Sequence, residues 1–197
     1  MNDEPLDLKR CDVFLSRGHG FVSDAIRFFS RNFGESRSKV SHVGIVVEAG
    51  DVRSVWIMEA RSGVARRKFW DSYGPPHSDW VAIYRAKNLT DADVDVIIAA
   101  AEKYNGYEYG YGKLIAHLLD WLLLGAYVFR RLAKMDKYPI CSWLVAHSFA
   151  KAGRNFGVEP GAASPDDIWD FVTRRKDIYE LVRALAPFEL NDPSSRT

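Results

Sequence analysis

Apolar and polar positions along the chain fall into two rhythms. Residues 40–48 (VSHVGIVVE) alternate and are rich in β-branched side chains, the pattern of a strand with a buried face. Residues 12–16 (DVFLS), 55–60 (VWIMEA) and 80–85 (WVAIYR) predict further strands, and 63–69 continues the series. Elsewhere the apolar positions take helical spacing. That spacing marks 22–33, then 90–104 behind the capping run Thr90-Asp91-Ala92-Asp93, a long stretch over 113–135, and 141–152 closed by Gly153. Ser164-Pro165 opens a short helix through residue 171, with proline at its first position. Strands and helices come in blocks, so the predicted class is α+β, a small antiparallel sheet packed against helices. The pattern predicts one domain over 1–190 and a polar tail over 191–197 that frays.

Composition narrows the function classes. The 197 residues carry a net charge of +1, without the basic excess that a nucleic-acid binder shows on one face. The two cysteines are far apart and form no disulfide framework, which favours a reducing compartment. The opening MNDEPLDLKR has no apolar segment, so no signal peptide is expected and the predicted location is cytoplasmic, with peripheral membrane contact or delivery by another route as the alternatives. The longest uncharged apolar run, 121–129, is about half of what crosses a bilayer, which argues against a transmembrane span.

Candidate chemistry begins in YPICSWLVAHSF, where Cys141 follows a proline and opens a predicted helix. A buried cysteine is a good small hydrophobe, and packing is the plain alternative. A helix N-terminus also favours thiolate over thiol and offers unsatisfied N–H groups for an oxyanion. A nucleophilic thiol needs a histidine and a group that orients it. His147 lies six residues on along the same helix and cannot face Cys141. His19 and His77 fall in predicted loops, and His117 lies in the long apolar stretch, where surface or packing roles suit them.

His42 differs because it lies inside a strand. By alternation it shares a face with Gly44, where a missing side chain suggests close approach by another group. Gly50-Asp51 reads as a two-residue type II′ turn. That turn pairs Ala49 with Val52 and, counting outwards, His42 with Glu59. Glu59 is the only acidic residue in VWIMEA. Directly opposed side chains lie close enough for Glu59 to hold one ring nitrogen and leave the other for the thiol. The plain alternative is a half-buried salt-bridged pair.

These features together resemble the circularly permuted NlpC/P60 proteins, the permuted papain-like amidases of the YiiX/YaeF type, related to the lecithin:retinol acyltransferase-like enzymes. The resemblance rests on S-H-V-G-I, M-E-A, the Tyr/Gly-rich YEYGYG and C-S-W-L-V, in that order, over roughly 12–171. It implies Cys141 as nucleophile, His42 as base and Glu59 as third polar residue. A tyrosine before the Cys helix helps shape the site in that family. Tyr109 is the nearest match, with Tyr107 and Tyr111 as substitutes. Tyr109, Gly44 and Ser142 are the expected substrate-binding positions, and no metal or cofactor is expected. The opening strand departs slightly, with Cys11-Asp12 where the family has glycine before the aspartate.

The resemblance implies a cysteine hydrolase or acyltransferase, amidase or peptidase among them, that acts through a thioester on a peptidoglycan peptide or on a lipid amide or ester. The alternative is a non-catalytic peptide- or lipid-binding module on the same fold. A zinc site on Cys141, His42 and Glu59 is the weakest reading, since no close-spaced ligand pair occurs. The apolar run over 114–132, followed along the chain from Leu114 to Leu132, is nearly apolar all round at its centre. It predicts a core helix or dimer interface, or else a wall beside Cys141 that meets an acyl chain or a membrane surface.

Overall fold

The computed structural model describes residues 6–18, 39–77, 79–108 and 140–188. The predicted helix over 22–33, the stretch 113–135 that holds His117, and the tail lie outside the described residues, as do His19, Tyr109 and Tyr111. The described strands are β1 (Asp7–Leu8), β2 (Val13–Arg17), β3 (His42–Val46), β4 (Gly50–Asp51), β5 (Trp56–Ala60), β6 (Val64–Lys68), β7 (Trp80–Ala86) and β8 (Tyr179–Ala186). The helices are α1 (Phe69–Tyr73), α2 (Asp91–Glu102), α3 (Cys141–Lys151) and α4 (Pro165–Arg174). Six strands form one antiparallel sheet in the order β6-β5-β3-β2-β7-β8, and β1 pairs with β4 in a small second sheet. This is the α+β arrangement that the blocks of strand and helix pattern predict.

Alternation along each strand divides the core in two. Val13, Leu15, Val43, Ile45, Met58 and Ala82 face α2 and α3. Phe14, Val46, Ile57, Val81 and Ile83 face the other way, against Phe69 and Tyr73 of α1. Helix α3 is central: its residues from Cys141 to Ala146, with Ser148 and Phe149, are buried. Both predicted helix caps form, each as a capping box, Thr90 with Asp93 on α2 and Ser164 with Asp167 on α4, with Pro165 in the first turn of α4. Asp12 is fully buried at the head of β2, where both carboxylate oxygens accept from Arg85 at 2.7–2.8 Å.

The strand pattern misses β8. Its side chains are mostly exposed or half-buried, with Glu180 and Arg183 among them, so it offers no apolar face to read. It joins the sheet as an edge strand on β7, through an irregular register.

The turn expected at Gly50-Asp51 is corrected. These two residues are strand β4, paired with Leu8 and Asp7. The chain reverses one step later, where Ser54 and Val55 donate to the Asp51 carbonyl and Arg53 donates its N–H to the Asp51 side chain. The longer connection moves the register by two residues, and Gly44, not His42, stands opposite Glu59.

The close approach expected at Gly44 is made by the protein itself. A Cβ there would lie 2.3 Å from Phe14 Cζ and 3.0 Å from the Met58 carbonyl. Glycine is required because the Phe14 ring fills the space.

Gly44→Ala is expected to lower stability by about 1–3 kcal/mol through overpacking. Gly161→Ala, where nothing lies within 4 Å of the added carbon, should change it by less than about 0.5 kcal/mol. Urea unfolding of both variants checks this. Equal stabilities would show that Phe14 moves aside freely.

Candidate active site

His42 is the first residue of β3, at the end of the sheet where α3 begins. A shift of two residues preserves strand parity, so His42 and Glu59 remain on one face as diagonal neighbours. His42 Nε2 lies 2.9 Å from Glu59 Oε2. The Cys141 sulfur, at the N-terminus of α3, hydrogen-bonds the same ring. Three residues from β3, β5 and α3 thus form one chain of contacts: thiol, imidazole, carboxylate.

Cys141 has its place because Ile140 ends an extended segment and α3 starts at the next residue. Ile140 supplies no side-chain cap, so the first turn of the helix is open to the sulfur. Backbone N–H groups of Ser142 and Val43 point at that sulfur. Burial opposes the thiolate. The His42 charge, the His42 hydrogen bond and the two backbone donors outweigh burial and hold the thiol below its ordinary pKa.

His42 moves in the opposite direction. Burial works to lower its pKa, but the Cys141 sulfur and the Glu59 carboxylate together push it up to about 9. The two opposed shifts favour the thiolate–imidazolium form of the pair over thiol and neutral imidazole. Cys11 makes the contrast: it is buried without a cationic ring against it, and burial pushes its thiol up to about 12.

Glu59 is fully buried, yet it is held ionised. Burial works to raise its pKa. The hydrogen bond and charge of His42, the hydroxyl of Tyr73 and the charge of Arg61 outweigh it and lower the carboxyl below its usual range. Tyr73 Oη donates to Glu59 Oε2 at 2.6 Å. Arg61 Nε lies 4.0 Å from Oε2, and Arg67 Nε lies 3.6 Å from Oε1.

The sequence reading names Glu59 but misses these three partners. Arg67 carries a weak signal, because it lies two strand positions beyond Ala65, the residue that opposes Glu59. Tyr73 carries none, since its helix packs onto the sheet through tertiary contacts.

Ser142 does not offer its side chain to a ligand. It is fully buried, and its hydroxyl donates to the Ala163 carbonyl at 2.6 Å. Only its backbone N–H reaches the centre. Tyr107 is 38% exposed and stacks edge-on against Tyr104. His147 stacks on Trp143 at 4.4 Å, away from Cys141 as the helical angle requires, and His77 is exposed.

Fold and centre define an α+β protein with an antiparallel sheet packed against helices, and a Cys–His–Glu cluster where a strand end meets a helix start. No protein-family model and no curated protein matches the chain in sequence. Among solved structures, the chain is similar in fold to the crystal structure of metalloprotein yiiX from Escherichia coli O157:H7. The TM-score is 0.52 at 16% sequence identity, over 91% of this chain and 88% of that one. Likeness at this level concerns the fold. Among the described residues, no helix is long and apolar enough to cross a membrane.

Iodoacetamide at pH 7 is expected to label Cys141 at least about tenfold faster than Cys11 in the folded protein. His42→Ala should remove most of that advantage. In Cys141→Ala the His42 imidazole, relieved of the sulfur charge, should titrate below about 9. Peptide mapping and imidazole NMR check these outcomes, and equal labelling of the two thiols would rule out the ion pair.

Proposed function

We propose that the protein is a cysteine hydrolase or acyl-transfer enzyme whose centre is Cys141, His42 and Glu59. The observation that carries this reading is the chain of contacts itself. A thiol at a helix N-terminus bonds an imidazole, and the imidazole bonds a buried carboxylate at 2.9 Å. The permuted order, His strand before Cys helix, and the yiiX-like fold agree with a permuted NlpC/P60 assignment. The substrates that assignment implies are peptidoglycan peptides, or lipid amides and esters.

The chemistry follows from the geometry. The Cys141 thiolate attacks the carbonyl carbon of an amide or ester, and a carbon–sulfur bond forms. The carbonyl oxygen takes the negative charge, which first-turn N–H groups of α3 stabilise. As the tetrahedral species collapses, the bond to the leaving nitrogen or oxygen breaks and the His42 imidazolium gives it a proton. His42, now neutral, takes a proton from water or an acceptor amine, which attacks the thioester and returns Cys141 as thiolate. Glu59 keeps the ring oriented and stabilises its charge throughout.

The yiiX protein of similar fold is described as a metalloprotein. In this chain His42 Nε2 is engaged by Glu59 at 2.9 Å, and the Cys141 sulfur bonds the same ring. Among the described residues, no group of three or more His, Cys, Asp or Glu side chains, the Cys–His–Glu cluster included, is arranged to hold a metal ion. No step of the proposed reaction passes through one.

The test is turnover of acyl p-nitrophenyl esters and N-acyl amides, with intact-mass detection of an acyl adduct on Cys141. Cys141→Ala should abolish turnover and the adduct. His42→Ala should cost nearly as much, on the order of 10³-fold or more. Glu59→Gln should cost less, because the amide oxygen still accepts from the ring but does not stabilise its charge. The rate should fall as pH rises through about 9, where the proton needed by the leaving group is lost from His42. Turnover that survives in Cys141→Ala would overturn the proposal.

A further inference from the structure

The carboxylate of Glu59 is bonded unevenly. Oε2 takes both the His42 ring at 2.9 Å and the Tyr73 hydroxyl at 2.6 Å. Oε1 is buried with no hydrogen bond, and its nearest cation, Arg67 Nε, is 3.6 Å away. The orientation of the oxygen that holds the catalytic ring therefore depends on one other strong bond, the one from Tyr73.

Tyr73 is fully buried in α1. Its ring packs against Phe14 at 5.1 Å and Phe69 at 5.2 Å, surroundings that a phenylalanine would satisfy. A hydroxyl in such a place costs desolvation unless it is bonded, so its presence calls for a polar purpose. Its own oxygen accepts a hydrogen bond from Ser16, which is 1% exposed. Ser16 stands directly opposite His42 in the β2–β3 register. Phe14, Ser16, His42, Gly44 and Glu59 share one face of the sheet, and Tyr73 lies over that face.

We propose that Tyr73 is a positioning residue for the Cys–His–Glu centre, with Ser16 behind it. The buried chain then runs Ser16, Tyr73, Glu59, His42, Cys141, and its two hydroxyls fix the carboxylate oxygen that holds the ring. The inference rests on the reading of Cys141, His42 and Glu59 as a catalytic centre. Removal of the Tyr73 hydroxyl leaves Glu59 with His42 as its one hydrogen-bond partner, and its carboxylate is free to turn toward Arg67. The ring then loses part of its partner, and with it part of its support for the thiolate.

The test needs no substrate. In Tyr73→Phe, the His42 imidazole should titrate lower than the wild type by about half a unit or more. The pH midpoint for iodoacetamide labelling of Cys141 should rise by a similar amount. Thermal melting should stay within a few degrees, since the aromatic packing is kept. Where a substrate is in hand, kcat should fall with KM unchanged. Ser16→Ala should move both midpoints the same way by less, and it decides the question if Tyr73→Phe does not fold. An unchanged or raised His42 titration in the folded variants overturns the proposal, as does a rate loss with an unmoved titration, which packing alone would give. If the midpoints move as expected but wild-type protein turns over no ester or amide, the positioning holds and the hydrolase reading fails.

Discussion

The structure around the site depends on burying one ionised carboxylate. Glu59 has no exposed surface, and a bare carboxylate in such a place would protonate or force the chain to rearrange. It remains charged because a ring, a phenol and two guanidinium groups surround it. An arrangement of this kind adds little net stability compared with an apolar core, but loss of the cationic ring that pairs with the carboxylate leaves a charge stranded and costs about 3–5 kcal/mol. The residues that make the charge tolerable are therefore tied to one another. Strand β5 supplies the carboxylate, β3 the ring, α1 the hydroxyl, and the β5–β6 region the arginines.

That constraint reaches Cys141 across the end of the sheet. Glu59 and Tyr73 belong to the face packed against α1, whereas Cys141 opens a helix on the opposite face. His42 joins them because it is the first residue of β3, where the sheet ends and a ring can contact both sides. A histidine two residues deeper in the strand, on the same face, would be walled off from the thiol by the sheet. The same position explains the opposed titrations: the ring is raised and the thiol lowered because each charge stabilises the other where water is scarce.

The register shows how a wrong detail can leave a right relation. A two-residue turn at Gly50-Asp51 would put His42 opposite Glu59; the observed connection is longer and puts Gly44 there. The period of a strand is two, so a displacement of two residues keeps both side chains on one face. Diagonal neighbours remain within reach for a histidine and a glutamate, and the bond forms. A displacement of one residue would have sent Glu59 into the packing beneath α3.

The sequence by itself determined what depends on local pattern: the five strands that alternate or run apolar, the capped starts of α2 and α4, the open start of α3 at Cys141, and the shared face of His42 and Glu59. These are legible because hydrogen bonding within an element and the period of its side chains are set by neighbouring residues. Tertiary structure alone decided the rest. Edge strand β8 has no apolar face to announce it, and only its pairing with β7 makes it a strand. Gly44 looked like an opening for a ligand until Phe14 filled it. Ser142 stood beside the thiol in sequence, but its hydroxyl is spent on Ala163, twenty-one residues away. Tyr73 reaches Glu59 across a separation of fourteen residues through a short helix whose placement is set by packing against Phe14. A buried charge selects its partners by distance in space, and no periodicity in the chain records that distance.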